Sequence, residues 1–376
     1  MREGSFGREI RKLVPLLFYN RQFGDRFMKR TGNLWPELVS FENLYEAYSA
    51  ACKHKRYTNS CSEFSAHREE YLLALQEELS SLTYLPGEYR QFTIYEPKKR
   101  LISAAPFRDR VVHHALVNVL EPVFEPTFIS DSYATRIGKG THRAILKFES
   151  FFKQYRFVLK CDIERYFPSI DHEVLLSLIE RKIKCPATLR LIRILLAHSP
   201  QQDTQARYFP GDNLFTPFDR PHGLPIGNLT SQFFANVYLD PIDHLVKEEL
   251  RFQAYLRYMD DFCLFANTKA ELWDALETIR QKCARFRLTL KPSKTRIYST
   301  AESVEFLGFR QLRTHRRLNA RVARRSCRNL GAKYRQLCKR EITNEEFRSS
   351  LMSINGHYRW GNCSGLAKSS FGDFLY

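Results

Sequence analysis

The chain has 376 residues, of which 43% are hydrophobic and 14% aromatic, so it can bury a substantial core, in two or three lobes rather than one. Its net charge is +18 and is concentrated, since residues 311–376 carry +10 and residues 1–30 carry +5, which favours a polyanionic partner. The nine cysteines lack CxxC and zinc-finger spacing, and no stretch has the character of a signal peptide or membrane span. These features exclude a zinc finger and predict reduced thiols in a soluble protein.

The amino-terminal part of the chain is predicted to be mostly helical and to contain one hairpin. Apolar side chains recur at helical spacing over residues 41–50, and they alternate over residues 89–95 as in a strand. The tip of the hairpin is basic because it carries Lys98 and Arg100. The predicted elements are a basic extension at 1–40, helices at 41–50 and 67–82, strands at 89–95 and 100–104, and a helix at 107–124.

The central part of the chain is predicted to alternate between strands and helices. Asp162 ends an apolar strand, and Asp171 is placed to cap the next helix. Met259, Asp260 and Asp261 interrupt an apolar stretch, which predicts a tight hairpin. The predicted elements are a strand at 157–163, helices at 171–182 and 187–197, a loop at 199–222, a helix at 231–250, a hairpin at 255–266, a helix at 269–286, strands at 297–299 and 304–309, and a basic helical remainder.

The adjacent acids Asp260 and Asp261 point to a metal site. Their apolar flanks make an ionised pair costly unless a positive charge neutralises it. A divalent metal does so, and carboxylate oxygens suit Mg²⁺. Because side chains alternate along a strand, we expect one acid to bind metal directly and the other more loosely. The alternative is an ordinary Asp-Asp turn.

Asp162 supplies a third acid at the end of another apolar strand. One strand-end acid beside a hairpin pair is the layout that two-metal phosphoryl transfer needs. In that chemistry one ion lowers the pKa of the attacking hydroxyl and the other holds the leaving phosphate. For Asp162 alone, a capping role is the alternative. Together, Asp162, Asp260 and Asp261 predict a catalytic two-metal site.

These segments resemble the reverse transcriptase family. The box formed by Tyr258, Met259, Asp260 and Asp261 is similar to the most specific motif of that family, and Asp162 with Phe167 is similar to its first catalytic-acid motif. Other segments resemble the family in its own order, so that the resemblance runs from about residue 89 to residue 309. These segments are residues 97–100, 133–142, 222–232, 291–296 and 304–309.

The resemblance implies a role for each matching residue. Phe167 is expected to be the steric gate under the sugar, and the backbone of Ile163 is expected to join the three acids in binding metal. Either Lys291 or Lys294 is expected to assist as a proton donor or phosphate contact. The expected nucleotide-binding residues are Lys98, Arg100, Phe167, Ile226, Gly227, Gln232, Lys291 and Lys294, and the expected primer grip is Phe306, Leu307 and Gly308. The alternatives are a solvated hairpin tip for the basic residues and core packing for the aromatic ones.

Residue 226 departs from the usual pattern of the family. Most reverse transcriptases carry Gln where this chain has Ile226, and Ser-Pro where it has Ser231 and Gln232. This variant pattern resembles the reverse transcriptases of diversity-generating retroelements, which copy a template RNA with errors at adenines. Since Ile cannot form the hydrogen bond that Gln forms near the nucleotide, we expect pairing errors to be penalised less. A neutral packing exchange is the alternative.

The resemblance implies an α+β, right-hand polymerase with an antiparallel palm sheet and a helical thumb. Only 67 residues follow Phe309, which predicts a small thumb and no RNase H or integrase domain. The expected domains are a basic extension at 1–40, fingers at 41–155, a palm at 156–310 with a fingers insertion at about 176–220, and a basic thumb at 311–376.

The resemblance also implies cofactors and partners. Two Mg²⁺ ions are expected, with Mn²⁺ as an alternative. The expected partners are template RNA, an RNA/DNA heteroduplex, dNTPs and a small accessory protein, without a membrane. The expected location is the cytoplasm, for a protein encoded by a bacterium or a phage. Two rivals remain: a defence-associated or retron-type bacterial reverse transcriptase, and a non-catalytic RNA-binding scaffold.

Overall fold

Helices and short antiparallel strands alternate along residues 30–95, 99–200, 205–361 and 363, which this computed structural model describes. Residues 1–29 of the predicted extension and Lys98 lie outside the described residues. The α-helices are α1 (Trp35–Leu38), α2 (Phe41–Cys52), α3 (Asn59–Ala66), α4 (Arg68–Ser80), α5 (Phe107–Phe124), α6 (Thr141–Gln154), α7 (Tyr166–Ser169), α8 (His172–Glu180), α9 (Pro186–Ala197), α10 (Thr216–Asp219), α11 (Leu229–His244), α12 (Lys269–Arg285), α13 (Ala320–Cys338) and α14 (Asn344–Arg359). The strands are β1 (Arg90–Ile94), β2 (Arg100–Ala104), β3 (Phe157–Asp162), β4 (Tyr255–Tyr258), β5 (Asp261–Ala266), β6 (Arg296–Ser299), β7 (Val304–Phe306), β8 (Phe309–Gln311) and β9 (Arg316–Leu318).

Most predicted elements are confirmed, and five helices lie where none is predicted. Asp171 caps α8 as predicted, since its carboxylate accepts a hydrogen bond from the Val174 N–H at 3.0 Å. The unpredicted helices are α1, α3, α6, α7 and α10, of which α10 lies within the predicted loop at 199–222. The signal for α6 is present in the sequence, because its five buried residues recur at helical spacing. They are Ala144, Ile145, Phe148, Phe151 and Phe152.

A four-stranded antiparallel sheet in the order β4-β5-β3-β6 forms the centre of the fold. Its strands alternate between two faces, and each face buries its apolar residues against helices. Val158 and Phe265 pack with the aromatic residues of α6. Leu159 and Leu264 point to the opposite face and belong to the largest core cluster, which includes residues of α11 and α12. Because both faces are covered, the site-bearing ends of the strands are held in a fixed register.

The amino-terminal helices pack around α5. This helix is 18 residues long, and most of its residues are buried. It packs against α2 and α11, so that it joins the amino-terminal helices to the helices behind the sheet. Asn43 of α2 stabilises this junction, because its side-chain amide donates to the Ala115 carbonyl at 3.1 Å.

The predicted strand at 304–309 is wrong, because the chain reverses within it. Leu307 and Gly308 both have positive φ, at 46° and 86°, and form a two-residue turn between β7 and β8. Glycine favours this conformation, whereas a Leu in it is uncommon, so the apolar run hides the turn. The all-helical remainder is also wrong, since β9 pairs with β8 before α13 begins. A separate core cluster then holds α13 and α14 to this three-stranded sheet.

None of the helices in the described part of the chain is long and apolar enough to cross a membrane. All nine cysteines carry free thiols.

Candidate active site

The register of the four-stranded sheet places the three predicted acids together. Asp162, the last residue of β3, pairs with Asp261, the first residue of β5. Asp261 also pairs with Tyr258, the last residue of β4, so that Met259 and Asp260 form the two-residue turn between β4 and β5. One end of the sheet therefore carries Asp162, Asp260 and Asp261, as the sequence predicts.

The turn that carries Asp260 is strained and held in place by its surroundings. Met259 has φ 57°, a left-handed conformation that costs a residue with a Cβ roughly 1–3 kcal/mol. Its side chain packs against the largest core cluster. The hydroxyl of Tyr258 shares a hydrogen bond of 2.9 Å with the hydroxyl of Thr141, at the start of α6. Packing and hydrogen bonding on both sides thus fix the backbone from which Asp260 projects.

Two lysines partly neutralise the acids. The Lys160 ammonium lies 3.2 Å from Asp261 Oδ2, and the Lys294 ammonium contacts Asp162 Oδ2 directly. The sequence predicts a role for Lys294 but none for Lys160. A signal exists for Lys160: it is the charged residue of an apolar strand, two positions before Asp162, so both side chains lie on the same face of β3.

The carboxylates at this site are destabilised as anions. Burial raises the pKa of Asp261 to about 6, although the Lys160 charge opposes the increase. Burial also raises the pKa of Asp260, and the charge of Asp162 raises it further, whereas Lys294 and Arg100 lower it. Additional positive charge would therefore stabilise the ionised acids.

The donor chemistry of the site fits a divalent cation, although lysines neutralise two of the acids in this arrangement. Asp261 Oδ1 is buried and has no hydrogen-bond partner, which leaves one carboxylate oxygen available as a ligand. Within the described ranges, no group of three His, Cys, Asp or Glu side chains is arranged to hold a metal ion. Lys294 contacts Oδ2 of Asp162, so that this oxygen is already occupied. Three carboxylates in one place suit a divalent cation once the lysine contacts rearrange.

Backbone hydrogen bonds join Phe167 and Ile226 to the neighbouring elements. The Leu224 N–H donates to the Phe167 carbonyl at 2.9 Å, and the Ser103 N–H of β2 donates to the Ile226 carbonyl at 3.2 Å. Gly227 has φ 129°, and a Cβ there would lie 3.4 Å from the Ser103 carbonyl oxygen. The structure thus brings together the predicted gate residue, the segment around Ile226 and the strand that begins with Arg100.

Lys160 also connects the acids to the predicted primer-grip hairpin, β7–β8. Its ammonium donates a hydrogen bond of 2.9 Å to the Glu305 carbonyl and lies 5.9 Å from the ring centroid of Phe306. The Phe306 side chain is buried and stacks on Phe148 at 4.5 Å, so it supports the hairpin as a core residue. Leu307 and Gly308 form the half-buried tip. A primer contact at this tip stays a prediction.

The remaining predicted residues differ in how close they lie to the acids. Arg100 is exposed at the start of β2, and its charge reaches Asp260. Lys291 donates its backbone N–H to the Asp162 carbonyl at 2.8 Å, so it fixes the backbone, whereas Lys294 presents its ammonium. Ile163 forms a backbone bridge with Leu290, Gln232 lies half-buried in the first turn of α11, and Lys98 lies outside the described residues.

The part of the chain that contains this site matches a known family. The sequence model described as "Reverse transcriptase (RNA-dependent DNA polymerase)" matches residues 95–311, which is more than half of the chain. All three acids, Phe167, Ile226, Lys294 and the β7–β8 hairpin lie inside the match.

Curated proteins with similar sequences include a group II intron-encoded protein and an intron maturase. The group II intron-encoded protein LtrA of Lactococcus lactis subsp. cremoris is 28% identical over 211 residues, which cover 55% of this chain and 33% of that protein. Protein YkfC of Escherichia coli K12 is 25% identical over 292 residues, covering 65% of this chain and 72% of that protein. Nuclear intron maturase 1 of Arabidopsis thaliana is 33% identical over 96 residues, covering 26% of this chain and 14% of that protein. The chain thus spans about a third of the length of LtrA.

Proposed function

The chain belongs to the reverse transcriptase family, and we propose that it is an RNA-directed DNA polymerase. The observation that carries the proposal is the pairing of Asp162 with Asp261 beside the Met259–Asp260 turn, within the matched residues. Template RNA, its heteroduplex with DNA and dNTPs are then the ligands. The net charge of +18 supports such polyanionic ligands.

We propose that Asp162, Asp260, Asp261 and the backbone of Ile163 hold two Mg²⁺ ions, or Mn²⁺ as an alternative. Asp261 binds more loosely, through its unpartnered Oδ1, because its Oδ2 stays paired with Lys160. When bound, such ions lower the pKa of the primer 3′-hydroxyl and stabilise the leaving pyrophosphate.

The side chains around the acids position the reactants. The exposed guanidinium of Arg100 suits the triphosphate, because its planar fork matches phosphate oxygens. We propose that Phe167 contacts the nucleotide sugar and that the Lys294 ammonium donates a proton to the leaving pyrophosphate. Much of the rate acceleration then comes from positioning and charge neutralisation.

We also propose a right-hand division into fingers at 41–155, a palm at 156–310 with an insertion at about 176–220, and a thumb. The boundary of the thumb moves from residue 311 to about 319, because β9 pairs with β8. Helix α13 then forms the duplex-binding surface of the thumb, where its cations would bind phosphates without reading sequence. These cations include Arg321, Arg324, Arg325 and Arg328.

A primer-extension assay tests the proposed activity. The whole chain is incubated with a DNA primer on an RNA template, dNTPs and either Mg²⁺ or Mn²⁺, and products are resolved by length. We expect extension to the end of the RNA, and removal of the ions by EDTA should stop it. If the chain binds the primer–template but extends nothing with either ion, with or without its accessory protein, the result favours the scaffold alternative.

We expect Lys294→Ala to lower kcat by about 100-fold, the typical contribution of a general acid. The reason is that Lys294 presents its ammonium to Asp162, whereas Lys291 is joined to Asp162 through its backbone. Lys291→Ala is therefore the matched control and should have a smaller effect. Single-nucleotide incorporation under saturating dNTP measures both values. A larger loss in Lys291→Ala would reverse the assignment.

We propose further that the enzyme copies template adenines inaccurately, as expected for diversity-generating retroelements. The motif around Ile226 supports this subtype, and the hydrogen bond from Ser103 holds that segment against β2. A small accessory protein is then a further partner. Paired repeats that differ at adenines, beside the gene, would separate this subtype from the defence-associated and retron-type alternatives.

Ile226→Gln is expected to lower misincorporation opposite template adenine about fivefold, the effect of one added hydrogen bond. Sequencing of cDNA made on a defined RNA measures the error frequency at each template base. Ile226→Leu preserves the apolar packing and should leave the errors at adenine unchanged. If Ile226→Gln also leaves the errors at adenine unchanged, Ile226 is a packing residue and does not set fidelity.

A further inference from the structure

Arg257 forms a completely buried ion pair two residues before the Met259–Asp260 turn. Its guanidinium is 1% exposed, and the carboxylate of Asp243 in α11 is fully buried. Arg257 Nε donates to both oxygens of Asp243 at 2.8 and 2.9 Å, and Nη2 donates to Oδ2 at 2.7 Å. Tyr255 donates its hydroxyl to the same carboxylate at 2.6 Å. The acceptor is thus saturated and the guanidinium cannot rotate.

The remaining donor of Arg257 connects this pair to the catalytic turn. Nη1 donates to the Met259 carbonyl at 3.2 Å and to Asn236 Oδ1 at 3.0 Å. The Met259 carbonyl belongs to the peptide group that precedes Asp260. A guanidinium held at four other contacts therefore fixes the orientation of the peptide from which the Asp260 side chain projects.

Asn236 extends the contact to a third segment. Its side-chain amide donates to the Ala134 carbonyl at 3.0 Å and to Thr135 Oγ1 at 2.9 Å. The backbone of Arg257 contacts the same region, since the Tyr133 N–H donates to the Arg257 carbonyl at 2.9 Å. This region, residues 133–142, is one of the segments that resemble the reverse transcriptase family. The buried pair thus sits between helix α11, the catalytic turn and this segment.

A buried ion pair of this kind contributes little to stability, because desolvation of both charges offsets their attraction. Apolar residues of similar volume often stabilise a fold as well or better. The strained φ of Met259, at 57°, is a backbone conformation that its own side chain does not favour. A specific conformational role accounts better for Arg257 than a role in overall stability does.

We propose that Arg257, held by Asp243 and Asn236, is a positioning residue that orients the peptide between Met259 and Asp260 and so places the Asp260 carboxylate for catalysis. This inference rests on the proposed polymerase function. Arg257 acts through the turn and touches neither metal nor substrate. Its removal should therefore slow the chemical step while nucleotide binding is preserved.

The test uses the double variant Arg257→Met plus Asp243→Asn, which removes both charges and keeps an acceptor for the Tyr255 hydroxyl. The matched control is Lys182→Met plus Asp240→Asn. It removes a partly buried pair, 3.7 Å apart, whose acid lies three residues before Asp243 on the same helix. We expect the test variant to lose about 100-fold in kcat, with KM for dNTP changed less than about threefold. The control should keep kcat within about twofold.

Melting temperature and hydrogen exchange separate this inference from a loss of folding and from failure of the proposed function. We expect the test variant to melt within about 4 °C of the parent chain. We also expect the peptide containing Met259 and Asp260 to exchange faster, while β3 exchanges at the parent rate.

If the double variant does not fold, Asn236→Ala keeps the ion pair and should still lower kcat about tenfold. Unchanged kcat with unchanged exchange at the turn would overturn the inference. If the parent chain itself extends no primer, the proposed function fails, and the exchange measurement alone decides the role of Arg257.

Discussion

Asp260→Asn is expected to lower the rate of primer extension by at least about 10³-fold. The substitution keeps the shape of the side chain and removes the charge that would hold a divalent ion. Asp260 is the residue at the tip of the turn between β4 and β5, and the charge of Asp162 acts directly on it. Single-turnover extension on an RNA template with Mg²⁺ measures the loss.

This loss should occur without loss of stability. Burial and Asp162 raise the pKa of Asp260, so its ionised form is less favourable in the folded chain than in the unfolded chain. At neutral pH the charge therefore destabilises the metal-free fold, and a neutral Asn removes that penalty. We expect the melting temperature in EDTA to stay the same or increase.

Asp274→Asn is the matched control for Asp260→Asn. Asp274 is exposed on α12, and the same chemical change there should leave both extension and melting temperature unchanged. Extension by Asp260→Asn at the parent rate would show that the acids at this end of the sheet are not catalytic. A fall in melting temperature with the fall in activity would show instead that Asp260 supports the turn.

The acids could be predicted from the sequence because their signals are local. Asp162, Asp260 and Asp261 each follow or interrupt an apolar strand, and the antiparallel pairing of those strands brings them together. The helix α5 and the cap at Asp171 have equally local signals, in apolar spacing and in residue type. Such features can be predicted because a few residues that are close in sequence determine them.

The parts that were missed depend on contacts between distant residues. Arg257 and Asp243 are charged residues in apolar stretches, which indicates that each needs a partner, but the sequence does not show that they are partners of one another. Lys160 contacts Asp261 and the carbonyl of Glu305, which lies 145 residues further along the chain. The turn at Leu307 and Gly308 was not predicted for a different reason. A leucine seldom adopts the positive φ that Leu307 has here, so its residue type does not indicate a turn.

Phe167→Ala is expected to reduce discrimination against ribonucleotides by about 100-fold, at the upper end of what one side chain contributes to substrate selection. Phe167 follows Asp162 by five residues, its ring is half-buried, and its carbonyl accepts the hydrogen bond from Leu224. The backbone position is therefore fixed independently of the ring. Removing the ring should open space beneath the sugar, so that a 2′-hydroxyl no longer clashes.

The ratio of kcat/KM for dNTP to kcat/KM for the matching rNTP distinguishes this role from core packing. Phe167 packs against the largest core cluster, so its truncation also costs stability, about 1–3 kcal/mol for a half-buried ring. A smaller folded fraction lowers both kcat/KM values equally and cancels in the ratio. Phe167→Tyr keeps the ring and should keep the ratio, whereas Phe167→Ala should lower it. If the ratio stays at the parent value in Phe167→Ala, the ring is a core residue, and another group must exclude the 2′-hydroxyl.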